Sequence, residues 1–320
     1  MRYRALGKTP IEISEFIYGA GGIGGLGGDP ALRGRGISAQ EGFGQLDGAR
    51  ERGVTVIDTA DVYAGGDSES AVGEWLGTRS PDGVLVQTKT GGTYGKPGRD
   101  VDLSRGHIET QLRTSIGRLG RVDLYMSHAP DPDTPLEETL EAFASAMEAG
   151  LIQAFGMSNV DAPLLERLLQ TADNADLPRP AWLQNGLNLL LRGDEAEVIP
   201  LAAAEGVAYT AFSPLAGGVL SERYLDGAAL EPDSRIAVAG DRYYRGMYTQ
   251  ENLAKVAGLR KLAREREVSV AAMALAWLRA HPGVTATVMS PSKPAQWQAV
   301  DEALLLDLDQ DDFERVSALF

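Results

Sequence analysis

Eight short, almost continuously apolar runs recur along this chain of 320 residues, each separated from the next by a stretch of helical periodicity. They read FIYGAG (16–21), VTVIDTA (54–60), VLVQTKT (84–90), VDLYMSHAP (122–130), IQAFGMSN (152–159), AWLQNGLN (181–188), VAYTAFSPL (207–215) and TATVMSP (285–291). A strand with one face in water alternates polar and apolar residues, whereas a strand covered on both faces does not. Runs of this kind are those of a parallel sheet with helices packed around it.

The intervening helices have readable ends. Thr134-Pro135-Leu136-Glu137 predicts a capping box with proline at the first helical position; Leu136, Leu140, Phe143, Ala144 and Met147 then share a face, and Gly150 supplies a left-handed stop. Ser104 precedes a second such face, Ile108, Leu112, Ile116 and Leu119, ended by Gly120. Eight strand–helix units, short connections and no internal break in composition predict an α/β fold, a closed (β/α)8 TIM barrel forming a single domain over 1–320. The opening MRYRALGKTPIEIS reads as a β-hairpin plugging the bottom of the barrel. The connection 221–250, after strand seven, is longer than an ordinary loop and lies on the catalytic face, so it reads as a substrate-covering segment, the alternative being a loop that is simply mobile.

A competing fold is suggested by IYGAGGIGGLGGDP (17–30), where Gly19, Gly21 and Gly24 spell the G-x-G-x-x-G of a dinucleotide-binding Rossmann unit. That motif needs a helix opening at its third glycine and an acid about 20 residues on. Here GLGGDPALRGRG follows, too rich in glycine for a helix, and the next strand-end acid, Asp58, lies well beyond that spacing. The glycines therefore read as a barrel loop that lets a ligand approach the backbone.

Composition narrows the partners. A net charge of -15 disfavours nucleic acid and anionic membranes, both of which need a basic footprint. No apolar run is long enough for a membrane span, and the start lacks the apolar core of a signal peptide. With no cysteine there is no disulfide framework and no thiolate chemistry, consistent with a cytoplasmic protein. The helical faces are accounted for by packing on the barrel and set no oligomeric state.

In such barrels the chemistry sits at the carboxyl ends of the strands. Asp58 ends strand two with Tyr63 five residues on, Lys89 ends strand three and His128 ends strand four. Singly, each has an ordinary structural role open to it: a turn cap, a surface phenol, a snorkelling lysine, a core histidine. Together in one mouth they would each be costly to bury without partners. Their joint chemistry is proton donation to a carbonyl: an ammonium lowers the pKa of a nearby phenol, an aspartate holds the ammonium, and an imidazole hydrogen-bonds the carbonyl oxygen. No side chain supplies a hydride, so a nicotinamide cofactor is implied.

These residues, in VIDTADVYAGGDSE, QTKTG and LYMSHAPD, together with GMSN, Gln184 and FSPLAGGVL, make the chain resemble the aldo-keto reductase family over nearly its whole length. HAPDPDTPLEETL and PLAGGVL are similar in particular to its aflatoxin-aldehyde reductase branch. The resemblance implies NADPH-dependent reduction of a small-molecule carbonyl with Asp58, Tyr63, Lys89 and His128 as the catalytic tetrad. It also implies that Ser158, Asn159 and Gln184 bind the nicotinamide carboxamide and that Phe212 stacks on the ring. The backbone of Ser213, Pro214, Leu215 and Gly217 would then follow the pyrophosphate, and Gly21 would border the site. The alternative for Ser158-Asn159 is a cap on the following helix, with the motif favouring the binding role.

Two departures from the family pattern stand out. Leu187 occupies a position where many members carry tyrosine. In VMSPSKPAQWQAVD (288–301), Ala299 and Val300 occupy the usual adenine contacts, leaving Ser290, Ser292, Lys293 and Gln296 for the nucleotide end. A lysine binds phosphate as a point charge, which favours NADPH over NADH. Arg192, just beyond strand six, could hold an anionic substrate, or could simply pair with Asp194 or Glu195. The alternative to an enzyme is an NADPH-binding, redox-sensing regulatory subunit with little turnover. A barrel hydrolase is disfavoured, since no paired carboxylates or metal-ligand cluster stand at the strand ends.

Overall fold

The computed structural model describes residues 1–93, 100–227, 230–232, 234–240, 244 and 246–320. Residues 3–5 and 12–14 form an antiparallel hairpin, β1 (Tyr3–Ala5) and β2 (Glu12–Ser14), as the opening segment predicts. Eight parallel strands then close a barrel: β3 (Phe16–Gly19), β4 (Val56–Asp58), β5 (Leu85–Thr90), β6 (Leu124–Ser127), β7 (Ala154–Ser158), β8 (Trp182–Gly186), β9 (Ala208–Phe212) and β10 (Ala286–Met289). Each pairs with its sequence neighbours, and β10 closes on β3. All eight runs identified in the sequence contain one of these strands.

Two apolar layers explain the uniform runs. Inside the barrel, Ile17, Val56, Leu124, Met126, Ala154, Trp182, Ala208, Ala286 and Val288 form one cluster, which Leu6 and Ile13 of the hairpin join. Outside, Phe16, Tyr18, Ile57, Val86, Tyr125, Phe155, Leu183 and Tyr209 pack on the helices. Alternate residues of one strand thus enter different cores, and both must be apolar. Trp182 fills the interior because Gly156 leaves it space: a β-carbon built on Gly156 would lie 2.4 Å from the indole.

The helix ends are mostly where the sequence puts them. The helix Arg105–Leu119 ends at Gly120 (φ 83°), and Gly150 (φ 67°) follows the helix Leu136–Glu148. The Thr134 capping box does not form. Pro135 takes the cap position, and the Thr134 hydroxyl donates instead to Asp131 Oδ2 at 2.6 Å. Asp131 also accepts from the backbone of Leu103 and Asp133, so it draws Thr134 into ordering the β6 loop.

The glycine-rich segment after β3 is a loop carrying one 3-10 turn (Pro30–Leu32), with α-helix beginning only at Ala39 behind a Ser38–Glu41 capping box. Isolated bridges Ile23–Ile37 and Gly25–Arg33 fold it over the barrel mouth. In the connection 221–250, a single turn (Glu222–Tyr224) and a short helix (Arg235–Ala239) are described; residues 228–229, 233, 241–243 and 245 lie outside the described residues. No helix among the described residues is long and apolar enough to cross a membrane.

Candidate active site

Strand register builds the centre of the site. Asp58 pairs with Gln87 across β4 and β5, so Lys89, two residues further on, projects from the same face beyond it. Lys89 Nζ donates to Asp58 Oδ2 at 2.7 Å, to the Thr59 carbonyl at 2.8 Å and to the Tyr63 hydroxyl at 3.3 Å. Lys89 is 1% and Asp58 3% exposed, so this ion pair is shielded from water. Burial by itself pulls the Lys89 pKa down, but the Asp58 carboxylate and the Tyr63 phenol outweigh it, and the net shift is upward. Lys89 is therefore an ammonium at neutral pH.

His128 follows β6, its N–H donating to the Thr90 carbonyl. Its ring meets the Tyr63 ring edge-on, with centroids 5.4 Å apart and planes at 79°. Burial, then the nearby Lys89 charge, lowers its pKa to about 3, so the imidazole is neutral. Its Nδ1 is buried without a hydrogen-bond partner. Asp58, Tyr63, Lys89 and His128 are thus brought together from three consecutive strand ends, and Gly21 joins them. A β-carbon built on Gly21 would lie 3.1 Å from Tyr63 Cε2.

A second group stands beside the first. Ser158 Oγ donates to the Gln184 carbonyl at 2.6 Å, and Asn159 Nδ2 donates to the His128 carbonyl at 2.9 Å. Neither caps the next helix; Asp161 does, accepting from Leu164 N. Gln184 is 2% exposed, and its Nε2 is buried with no partner. An orphaned amide donor in a closed site calls for a carbonyl acceptor, so these residues fit a carboxamide ligand. Phe212 packs on Gly186, and Ser213 (φ 60°), Ala216 (φ 47°) and Gly217 (φ 67°) turn the following backbone in left-handed steps on either side of Pro214 and Leu215. Leu187 is fully buried, an apolar wall behind this group.

Ser290, Ser292, Lys293 and Gln296 lie together just after β10. Ser290 packs against Gly19, Lys293 is exposed, and Gln296 Oε1 accepts from the backbone of Ser292 (2.7 Å) and Lys293 (3.2 Å). The Gln296 oxygen thus folds the loop that presents the lysine.

Arg192 is not brought to this cluster. Its guanidinium pairs with Glu195 at 2.8 Å, donates to the Ser317 carbonyl at 2.8 Å and covers the Trp277 ring. Of the two roles the sequence leaves open, the structure shows the ion pair, with Glu195 as partner. Asp194 instead accepts from Tyr209 OH and Asn185 Nδ2.

Several supporting residues were not singled out from sequence. Gln87 Nε2 donates to Asp58 Oδ1 at 2.5 Å and fixes that carboxylate. Asn185 exchanges hydrogen bonds with the backbone of Val160, and Asn188 Nδ2 donates to the Ser213 carbonyl at 2.9 Å. Arg235 reaches across to Gly22, and Tyr244 packs on Gly217. The signal for Gln87 was its place two residues before Lys89 on one strand; for Arg235 and Tyr244 no local pattern exists. Among the described residues no group of three or more His, Asp or Glu could hold a metal.

A closed eight-stranded parallel barrel with this buried polar cluster at its mouth defines a barrel oxidoreductase. The chain belongs to the aldo/keto reductase family, whose model matches residues 16–320. It is 34% identical to a probable voltage-gated potassium channel subunit beta of Oryza sativa subsp. japonica, over 92% of this chain and 89% of that protein. A protein of the same description from Arabidopsis thaliana is 33% identical, over 96% and 93% of the two chains. The versiconal hemiacetal acetate reductase of Aspergillus parasiticus is 28% identical, over 88% and 86%. The chain is accordingly an NAD(P)H-dependent oxidoreductase acting on carbonyl groups.

Proposed function

We propose that this protein reduces small aldehydes or ketones to alcohols with NADPH, Tyr63 giving up the proton. The observation that carries the reading is the Lys89 ammonium, paired with Asp58 at 2.7 Å and 3.3 Å from the Tyr63 oxygen. NADPH bound beside the cluster supplies the hydride that no side chain can provide. Ser158, Asn159 and Gln184 would hold its carboxamide, Phe212 its ring, and the backbone from Ser213 through Pro214, Leu215 and Gly217 its pyrophosphate. Lys293, with Ser290, Ser292 and Gln296, would hold the nucleotide phosphate, and Gly21 would border the substrate.

Neutral His128 carries an N–H that can donate to the substrate oxygen without adding a charge. As the Tyr63 proton moves to that oxygen, negative charge grows on a phenol oxygen beside an ammonium, and the Coulomb attraction stabilises it. Asp58 keeps Lys89 charged and in place, and Gln87 keeps Asp58 in place. Solvent at the mouth then returns a proton to Tyr63. The barrel acts as one domain, and the cysteine-free sequence suits the reducing cytoplasm.

Tyr63→Phe tests the reading. It should abolish most turnover while leaving NADPH affinity within about twofold, because the lost oxygen acts only on the proton. Equal losses in both would make Tyr63 structural. The second reading, a cofactor-binding regulatory subunit, is favoured by the names of the relatives at 34% and 33% identity. It would show NADPH binding with negligible carbonyl turnover.

A further inference from the structure

The residue after the proton donor sits in a conformation that its side chain resists. Ala64 has φ 50° and ψ 29° and begins a left-handed run continued by Gly65 (φ 69°) and Gly66 (φ 101°). A β-carbon is unfavourable in that region, and a glycine at 64 would be at ease there. Whatever the alanine contributes must come from its methyl group.

That methyl is enclosed. Ala64 is 3% exposed, and β-carbons built on Gly24 and Gly25 would lie 3.1 and 3.2 Å from it. The two glycines therefore leave a slot that the methyl fills. The backbone is tied to the same loop: Ala64 N–H donates to the Gly27 carbonyl at 3.0 Å, and Gly27 N–H to the Gly21 carbonyl at 2.8 Å. Gly21 in turn lies against the Tyr63 ring. The G-x-G-x-x-G string thus forms a bed into which Tyr63 and Ala64 are pressed, ring on Gly21 and methyl on Gly24 and Gly25.

We propose that Ala64 is a positioning residue whose methyl, keyed between Gly24 and Gly25, holds the Tyr63 hydroxyl against Lys89. The inference rests on Tyr63 being the proton donor. The Lys89–Tyr63 contact, at 3.3 Å, is at the long end of the hydrogen-bond range, so a small outward drift of the loop breaks it. Nothing else in the catalytic cluster need move.

The test is a methyl swap. Ala64→Gly relieves the backbone and should not lower thermal stability. It should reduce kcat about 10-fold, since misplacement on the ångström scale can cost up to about 100-fold, with substrate KM and NADPH Kd unchanged. The alkaline limb of the kcat profile should shift with it, because the phenol has lost contact with the ammonium. Gly25→Ala alone should also reduce kcat, as its methyl meets that of Ala64. Gly25 is not left-handed, so the double variant Ala64→Gly/Gly25→Ala refills the slot from the other side; because the new methyl also comes to 3.3 Å from the Leu32 carbonyl oxygen and 3.4 Å from Arg33 Cα, it should recover part of the lost kcat.

Wild-type kcat in Ala64→Gly, or simple additivity in the double variant, would overturn the proposal. Tyr63→Phe run alongside separates the two levels. If it keeps turnover, the proton-donor reading fails; if it loses turnover while Ala64→Gly does not, only the positioning role fails.

Discussion

Replacing Asp58 by asparagine keeps the shape of the residue and removes the counter-charge of Lys89. In the native protein both partners are less than 5% exposed, so Asp58→Asn leaves a buried ammonium unpaired. Breaking one side of a buried pair costs about 3–5 kcal/mol. The amide also has one acceptor oxygen where the carboxylate has two, so either Lys89 or Gln87 then faces a donor. At roughly 2 °C per kcal/mol for a chain of this size, the melting temperature should fall by about 6–10 °C.

The pH dependence gives the mechanism a sign. In the native protein the Lys89 pKa is raised on folding, so the pair's contribution is complete below the unfolded value near 10.4 and is lost as pH rises through the folded value. Without Asp58, burial dominates and the folded pKa drops below the unfolded one. The unfolded chain then binds more protons, and stability should rise with pH above the new folded value. Urea unfolding at pH 7 and pH 9 reads both effects. Lys89→Met in the same background removes the stranded charge and should restore most of the loss. A cost under about 1 kcal/mol, or no recovery in the double variant, would refute the claim that this pair is desolvated.

Lys293→Ala should weaken NADPH binding at least several-fold more than NADH binding, read by fluorescence titration; an equal effect on both would remove its phosphate role. Arg192→Ala should lower stability by about 1–3 kcal/mol, through the Glu195 pair and the orphaned Ser317 carbonyl, without changing the preference between neutral and carboxylate-bearing aldehydes. A changed preference would return Arg192 to the substrate. Because the His128 pKa is lowered on folding to about 3, the unfolded chain binds its proton first, so this site should cost stability as pH falls from about 6.5 towards 3. His128→Gln should show a shallower acid loss in urea titrations, and an unchanged slope would contradict the neutral imidazole.

The barrel was legible because each strand feeds two apolar cores, which makes its sequence uniform, and because Gly120 and Gly150 mark helix ends whatever their tertiary setting. The meeting of Asp58, Tyr63, Lys89 and His128 was legible because strand ends converge by topology: once Asp58, Lys89 and His128 end consecutive strands, their contact follows. What escaped was set by contacts between distant segments. Thr134 was drawn from its cap by Asp131, a competition the capping rule does not weigh. Arg192 had two carboxylates within reach in sequence, and only the packing of Ser317 and Trp277 selects Glu195. The wedge of Ala64 in the glycine loop joins residues forty positions apart, and neither stretch signals it alone.

The most direct test of the account is the consumption of NADPH by the wild-type protein, with and without a panel of neutral and carboxylate-bearing aldehydes. The account expects consumption that requires the carbonyl and yields the alcohol in equal amount. Tight NADPH binding with no carbonyl-dependent consumption across the panel would contradict it and favour the regulatory subunit.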